Sequence, residues 1–293
     1  MQTMSLVSDD GPPVAARLFR PADGAPMRGG VVIGGAMGVR QAYYEPFARW
    51  LAGEGYAVLT FDYRGVGDSL PPGRSLRGFE ADLFAWARDF DRAIEALDRE
   101  VPALPIYLIG HSLGAQLPGL LAQRDRVAGL VSVAGGSGYW RDNAPALRRS
   151  VLYLWYVVVP IATSLFGYFP GRRLRKVGDL PRGVMLQWRR WCLNPRYHVG
   201  AEGAPVRERF ASVRFPLVAL SITDDELMTE RGTRVLVDCY PNAPRRIERI
   251  APADVQAPRI GHFGFFRDAF APTLWARTAG WLCEFHLAKE TTT

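Results

Sequence analysis

A chain of 293 residues, 48% hydrophobic and 22% charged, has the composition of a folded globular protein, which excludes disorder as its main state. Its length suits one large core or a core with an insertion. The net charge of +7 is unevenly placed: residues 137–210 hold 13 basic against 4 acidic side chains, and the remainder is slightly acidic. Only Lys176 and Lys289 are lysines, and no nucleic-acid reader motif is visible, so a nucleic-acid partner is not expected.

In chain order, residues 1–20 carry no apolar run of signal-peptide length, which makes a reducing cytoplasm the expected compartment. Residues 4–7 and 14–19 flank the turn Asp9-Asp10-Gly11-Pro12-Pro13 and predict a hairpin. Short apolar runs at 31–33, 57–61, 106–109 and 127–133 do not alternate, so they read as strands buried on both faces. Helical spacing lies between them, at 43–52, at 79–97 and at 113–122. The rhythm resumes with a strand at 217–222, a helix at about 229–239, a strand at about 246–250 and a final helix at about 268–286. This alternation predicts an α/β fold with a mostly parallel central sheet covered by helices on both faces. Residues 137–210 break the rhythm. Rich in Trp, Tyr, Phe and Arg, they are expected to form a helical cap inserted into a core made of residues 1–136 and 211–293.

Within that segment, residues 150–171 contain no charge and have nearly the length a bilayer needs. Pro160, Gly167 and Pro170 are expected to break the run into two short helices, and the arginines at both ends give no orienting asymmetry. Two apolar helices over a pocket are expected rather than a membrane span.

The pentapeptide Gly110-His111-Ser112-Leu113-Gly114 lies between an expected strand and an expected helix. That context turns a common pattern into a nucleophile elbow, in which flanking glycines permit a sharp turn and expose the serine hydroxyl. The expected base is His262, in Gly261-His262-Phe263-Gly264 just before the last helix. Of the other histidines, His111 sits beside the nucleophile, His198 in the cap and His286 late in the last helix. The expected acid is Asp225 rather than Asp224, because Glu226-Leu227-Met228 after it suits a turn that returns apolar residues to the core. The expected oxyanion donors are the backbone N–H groups of Leu113 and of Ala36, in the turn Gly34-Gly35-Ala36-Met37-Gly38. No phosphate-binding glycine motif is present. Cys192, Cys239 and Cys283 are too sparse for a metal cluster, so neither cofactor nor metal is expected.

These residues resemble the α/β-hydrolase superfamily over nearly the whole chain. Asp62-Tyr63-Arg64-Gly65-Val66-Gly67-Asp68-Ser69 is similar to that family's D-x-R-G-x-G-x-S turn, and the helix before the nucleophile strand is similar to serine-aminopeptidase-like and lysophospholipase-like members. Ala36-Met37-Gly38-Val39-Arg40, Trp188-Arg189-Arg190-Trp191 and Gly261-His262-Phe263-Gly264-Phe265-Phe266 resemble a bacterial group of predicted hydrolases. Gly34-Gly35 stands where many members have His-Gly. The resemblance implies a serine hydrolase, expected to act on a small-molecule ester with an apolar acyl group. Acyl transfer or aminopeptidase chemistry on the same triad is a second expectation, a non-catalytic binding protein a third, and weak contact of the cap with a membrane surface accompanies the first.

Overall fold

The computed structural model describes residues 1–7 and 10–290; Asp9 of the expected hairpin turn lies outside the described residues. The chain opens with an antiparallel pair, β1 (Gln2–Leu6) and β2 (Val14–Phe19), followed by β3 (Gly29–Gly34). Helix α1 (Glu45–Gly53) leads to β4 (Tyr56–Phe61), and α2 (Leu83–Glu100) leads to β5 (Ile106–His111) and β6 (Val127–Val133). Helix α2 begins at Leu83 and not at Phe79, because Asp82 caps it by accepting the Ala85 N–H at 2.7 Å.

Between β6 and the next strand of the main sheet lie α3 (Arg148–Tyr153), α4 (Val159–Phe166), the short pair β7 (Tyr168–Phe169) and β8 (Leu180–Pro181), and the helices α5 (Arg182–Leu193), α6 (Tyr197–Ala201) and α7 (Ala204–Ser212). Then come β9 (Leu217–Ile222), α8 (Glu230–Val237), β10 (Arg245–Ile250), the short α9 (Gly261–Gly264) and α10 (Ala276–Glu290).

One element differs sharply from expectation. Residues Pro145–Phe166 form a single continuous helix, not two pieces. Proline lacks the N–H that would bond four residues back, and its ring crowds that carbonyl. The chain accommodates Pro160 by a π-turn at Leu154–Val158, immediately before it, and the helix stops only where Gly167 turns left-handed at φ +75°.

The main sheet runs β1-β2-β4-β3-β5-β6-β9-β10, parallel from β4 to β10. Side chains alternate between its faces. Val32, Leu59, Leu108 and Leu130 pack with Trp86, Phe90 and Leu97 of α2 on one side. Val31, Val58, Ile109 and Val131 pack with Phe47 and Leu51 of α1 and Leu282 of α10 on the other. Both faces of the central strands are buried, which is why these strands read as uninterrupted apolar runs. The turns leaving β3, β5 and β9 open on one edge of this sheet, where the carboxyl ends of parallel strands gather ligand-binding groups.

Candidate active site

Ser112 follows directly on β5 with φ at +52°, a left-handed conformation that costs a non-glycine residue about 1–3 kcal/mol. Packing holds it there. A Cβ on Gly110 would come within 2.5 Å of Ala115 Cα, and one on Gly114 within 2.0 Å of the Gly34 carbonyl oxygen. Gly110 therefore lets the elbow close tightly on itself, and Gly114 lets it press against the end of β3. The helix expected at 113–122 is instead two 3-10 turns, Ser112–Ala115 and Pro118–Leu120. Pro118 cannot donate to a longer helix, and Gly119 packs tightly on the Phe210 ring.

His262 sits in α9, buried, with its Nδ1 2.8 Å from Asp225 Oδ2 and 3.1 Å from Asp225 Oδ1. Asp225 is held in turn: its Oδ1 accepts the backbone N–H groups of Leu227 and Met228, each at 2.8 Å. The neighbouring acids grip the same loop through its backbone. Asp224 accepts from Ile260 N at 3.0 Å and Gly261 N at 3.1 Å, and Glu226 accepts from His262 N at 3.1 Å. Burial opposes ionisation of Glu226, but hydrogen bonds from backbone N–H groups and the Arg259 guanidinium hold its carboxyl below the usual range. Three consecutive carboxylates after β9 thus clamp three consecutive amides and one imidazole. Sequence reasoning singled out Asp225 but left Asp224 to a generic turn and missed Glu226. The available signal was a run of three acids opposite a glycine-flanked histidine.

The turn expected to supply an oxyanion donor follows β3. Val39 N–H donates to the Ala36 carbonyl at 3.1 Å, and Gly38 takes φ +69° while Met37 stays at negative φ, which makes residues 36–39 a type II turn. Ala36, expected as a donor to the oxyanion, reaches the cavity wall but aims its N–H away: it donates to Tyr44 Oη at 2.7 Å. That bond commits the Ala36 donor. The next N–H, of Met37, has no hydrogen-bond partner among the described residues. Tyr44 also contacts His111, its hydroxyl lying 2.9 Å from Nδ1, and His111 Nε2 lies 3.0 Å from the His262 carbonyl oxygen. Burial, together with the nearby His262, lowers the His111 pKa to about 3, so this ring is neutral.

The D-x-R-G-x-G-x-S turn supports this region from below. Asp62 accepts from Gln41 N at 2.7 Å and Asp68 N at 2.9 Å, and a Cβ at Gly67, whose φ is +52°, would strike its carboxylate. Arg64 bonds to the buried Asp89 at 2.6 Å, tying the same turn to α2.

Ser112, Leu113, Met37 and His262 line one cavity of about 200 Å3. Its remaining wall is almost entirely apolar, with Val151, Leu154, Trp155 and Trp188 from the segment after β6 and Leu227 and Met228 from the turn after β9. Gln116 and Asn143 are the polar exceptions, and the Gln116 amide is already engaged by Tyr197 and the Gly136 carbonyl. The described residues contain no cluster of His, Cys, Asp and Glu suited to a metal ion.

This sheet order, with a serine at the β5 turn and a carboxylate–imidazole pair after β9, is that of an α/β-hydrolase. A family model described as Hydrolase_4: Serine aminopeptidase, S33 matches residues 25–178, more than half of the chain, and the chain belongs to that family. Monoglyceride lipase of Homo sapiens is 28% identical over 131 residues, covering 44% of this chain and 41% of that protein. Monoglyceride lipase of Mus musculus is 27% identical over 117 residues, 40% and 37% of the two chains. The match thus spans less than half the length of these relatives. The fold extends further: a soluble variant of monoglyceride lipase from Saccharomyces cerevisiae superposes with a TM-score of 0.69 at 14% identity, covering 97% of this chain and 94% of that one. A monoacylglycerol lipase from Paleococcus ferrophilus does so at 0.59 and 16% identity, covering 93% and 99%.

Proposed function

We propose that this protein hydrolyses carboxylic esters of an apolar acyl group through an acyl-enzyme on Ser112. The observation that carries the reading is the buried Asp225–His262 pair, 2.8 Å apart, on the wall of the cavity that Ser112 faces with a strained backbone. Asp225 holds the ring hydrogen on Nδ1 and leaves Nε2 free to accept a proton. Ser112 Oγ attacks the ester carbonyl carbon as its proton passes to His262 Nε2. The oxyanion accepts hydrogen bonds from the N–H groups of Leu113 and Met37, the latter replacing Ala36 because it is uncommitted. Collapse breaks the ester bond, and the alcohol leaves with the proton from His262. Water then repeats the sequence on the acyl-enzyme, releasing the acid and restoring the serine.

Residues 137–210 act in this reading as a cap that supplies the acyl-binding wall. Several relatives are named monoglyceride lipases, which supports a single-chain glycerolipid ester as the substrate class. An aminopeptidase reading is disfavoured because the described cavity wall has no carboxylate for a substrate ammonium. A reducing compartment belongs to the same proposal, supported by Cys192, Cys239 and Cys283, which are all free thiols. The test is direct: a fluorophosphonate labels Ser112 in the folded protein, and p-nitrophenyl esters of graded chain length are turned over while aminoacyl anilides are not. Turnover of anilides alone, or no labelling, would sink the reading.

A membrane surface is a second part of the proposal. The outer face of the Pro145–Phe166 helix exposes Tyr153, Tyr156, Ile161 and Leu165 by 54–65%, between Arg148-Arg149 and Arg172-Arg173. An apolar stripe with basic ends suits the boundary of an anionic bilayer. Flotation with vesicles rich in anionic lipid is expected, reduced by I161E and L165E; equal recovery of both proteins would remove this part.

A further inference from the structure

We propose that Tyr44 and His111 form a one-way hydrogen-bonded strut that sets the oxyanion turn against the loop of the base, making both positioning residues of the reaction. This rests on the ester-hydrolase reading, which it deepens.

The polarity of the strut is determined atom by atom. The His262 carbonyl oxygen can only accept, so His111 Nε2, 3.0 Å away, must carry the ring hydrogen. In a neutral imidazole the other nitrogen is then an acceptor. The Tyr44 hydroxyl therefore donates its single hydrogen to Nδ1 at 2.9 Å, and its oxygen remains to accept the Ala36 N–H at 2.7 Å. The reverse assignment fails. A doubly protonated His111 would place two donors on the Tyr44 oxygen, Nδ1–H and Ala36 N–H, and leave its own hydrogen without a partner in a site that is 1% exposed. The His111 and His262 ring centres are 5.4 Å apart, so a neutral His111 also avoids a second positive charge beside the imidazolium formed during the reaction.

The strut meets the base loop on the side opposite the acids. The acids after β9 hold the amide side of the 260–262 loop, while its carbonyl side is bonded to His111 at His262 and to Tyr43 at Phe263. At its other end, the Ala36 bond fixes the Gly35–Ala36 peptide, next in the chain to the one that carries the Met37 N–H, and so helps to aim that donor. The two reacting groups come from distant parts of the chain, and His111, joined covalently to the nucleophile, spans the gap between them. If these side chains only filled space, Phe and Leu would replace them without kinetic effect.

The experiment compares Tyr44→Phe, His111→Leu, the double variant and His111→Gln in the full chain, with p-nitrophenyl ester kinetics, thermal melts and 15N-histidine spectra. Oxyanion positioning acts in the transition state, so each of the first two is expected to lower kcat about 10- to 100-fold with KM within about twofold. The double variant should be no worse than the poorer single, because both break one chain. Glutamine carries an acceptor and a donor on one amide and should recover most of the loss. The wild-type spectrum should show His111 as the Nε2–H tautomer at neutral pH, with Nδ1 shifting in Tyr44→Phe. Folded variants with wild-type kcat, losses that multiply in the double variant, a glutamine variant no better than leucine, or an Nδ1–H tautomer would overturn the strut. If the first two variants do not fold, the tautomer and the glutamine variant still decide it. A wild-type protein without ester turnover but with the Nε2–H tautomer would instead defeat the ester-hydrolase reading alone.

Discussion

Replacing Asp225 by asparagine changes one atom, and the surroundings dictate which way the new amide points. Asp225 Oδ1 accepts two backbone N–H groups, of Leu227 and Met228, at 2.8 Å each. The asparagine oxygen must take that position, since an NH2 there would face two donors. Its NH2 then occupies the Oδ2 position, 2.8 Å from His262 Nδ1 in the parent protein. Nδ1 is forced to accept, the ring hydrogen moves to Nε2, and Nε2 can no longer take the proton of Ser112. Loss of the productive tautomer is expected to lower kcat about ten-thousand-fold, or about 5 kcal/mol, with little change in KM and an unchanged melting temperature. Steady-state hydrolysis of a p-nitrophenyl ester, with fluorophosphonate labelling in parallel, measures it. If Asp225→Asn retained more than a tenth of the parent kcat while Asp224→Asn lost it, the assignment of the acid would be wrong.

Three other changes test separate parts of the site. Met37→Pro keeps the type II turn, where proline is favoured at the second position, but deletes one N–H; kcat should fall about 100- to 1000-fold at nearly constant KM, measured by ester kinetics. Gly114→Ala forces a Cβ to within 2.0 Å of the Gly34 carbonyl and should destabilise the fold by about 3 kcal/mol or more in urea denaturation. His198 is fully buried, without a hydrogen-bond partner on either nitrogen among the described residues, and burial lowers its pKa to about 3. The unfolded chain therefore binds more protons between pH 6.5 and 3, and stability falls as pH drops through that window. His198→Leu should remove about 2 kcal/mol of the loss between pH 7 and 5, seen as a flatter dependence of melting temperature on pH.

The strands of the parallel sheet were legible because burial on both faces leaves a signature that composition alone displays, as in Ile106–His111 and Val127–Val133. In the structure Asp225 bonds to His262, and His262 lines the same cavity as Ser112. What remained hidden depends on direction rather than residue type. Ala36 and Met37 are adjacent and equally suited to a glycine-rich turn; only the Tyr44 hydroxyl, eight residues on, decides whose N–H is free. Glu226 grips the His262 loop through a backbone N–H, so the run of three acids hints at a clamp but does not say which amide each acid holds. Pro160 reads as a break because its cost is local, whereas the π-turn that absorbs it lies in the preceding residues. Likewise Phe79 continues the apolar stripe of α2, yet the capping bond of Asp82 starts the helix later.

The distance along the chain between Ser112 and its proposed base, His262, has a consequence during synthesis. His111, next to the nucleophile, and His262 are 151 residues apart. At about 5–20 residues per second, Ser112 leaves the peptidyl-transferase centre roughly 8–30 s before its base is made. Throughout that interval the elbow lacks both its proposed proton acceptor and the His262 carbonyl that ends the proposed strut, and on that reading its hydroxyl is an ordinary alcohol. On the proposed reading, reactivity arrives only after the last strand of the sheet, which ends at Ile250, has been made.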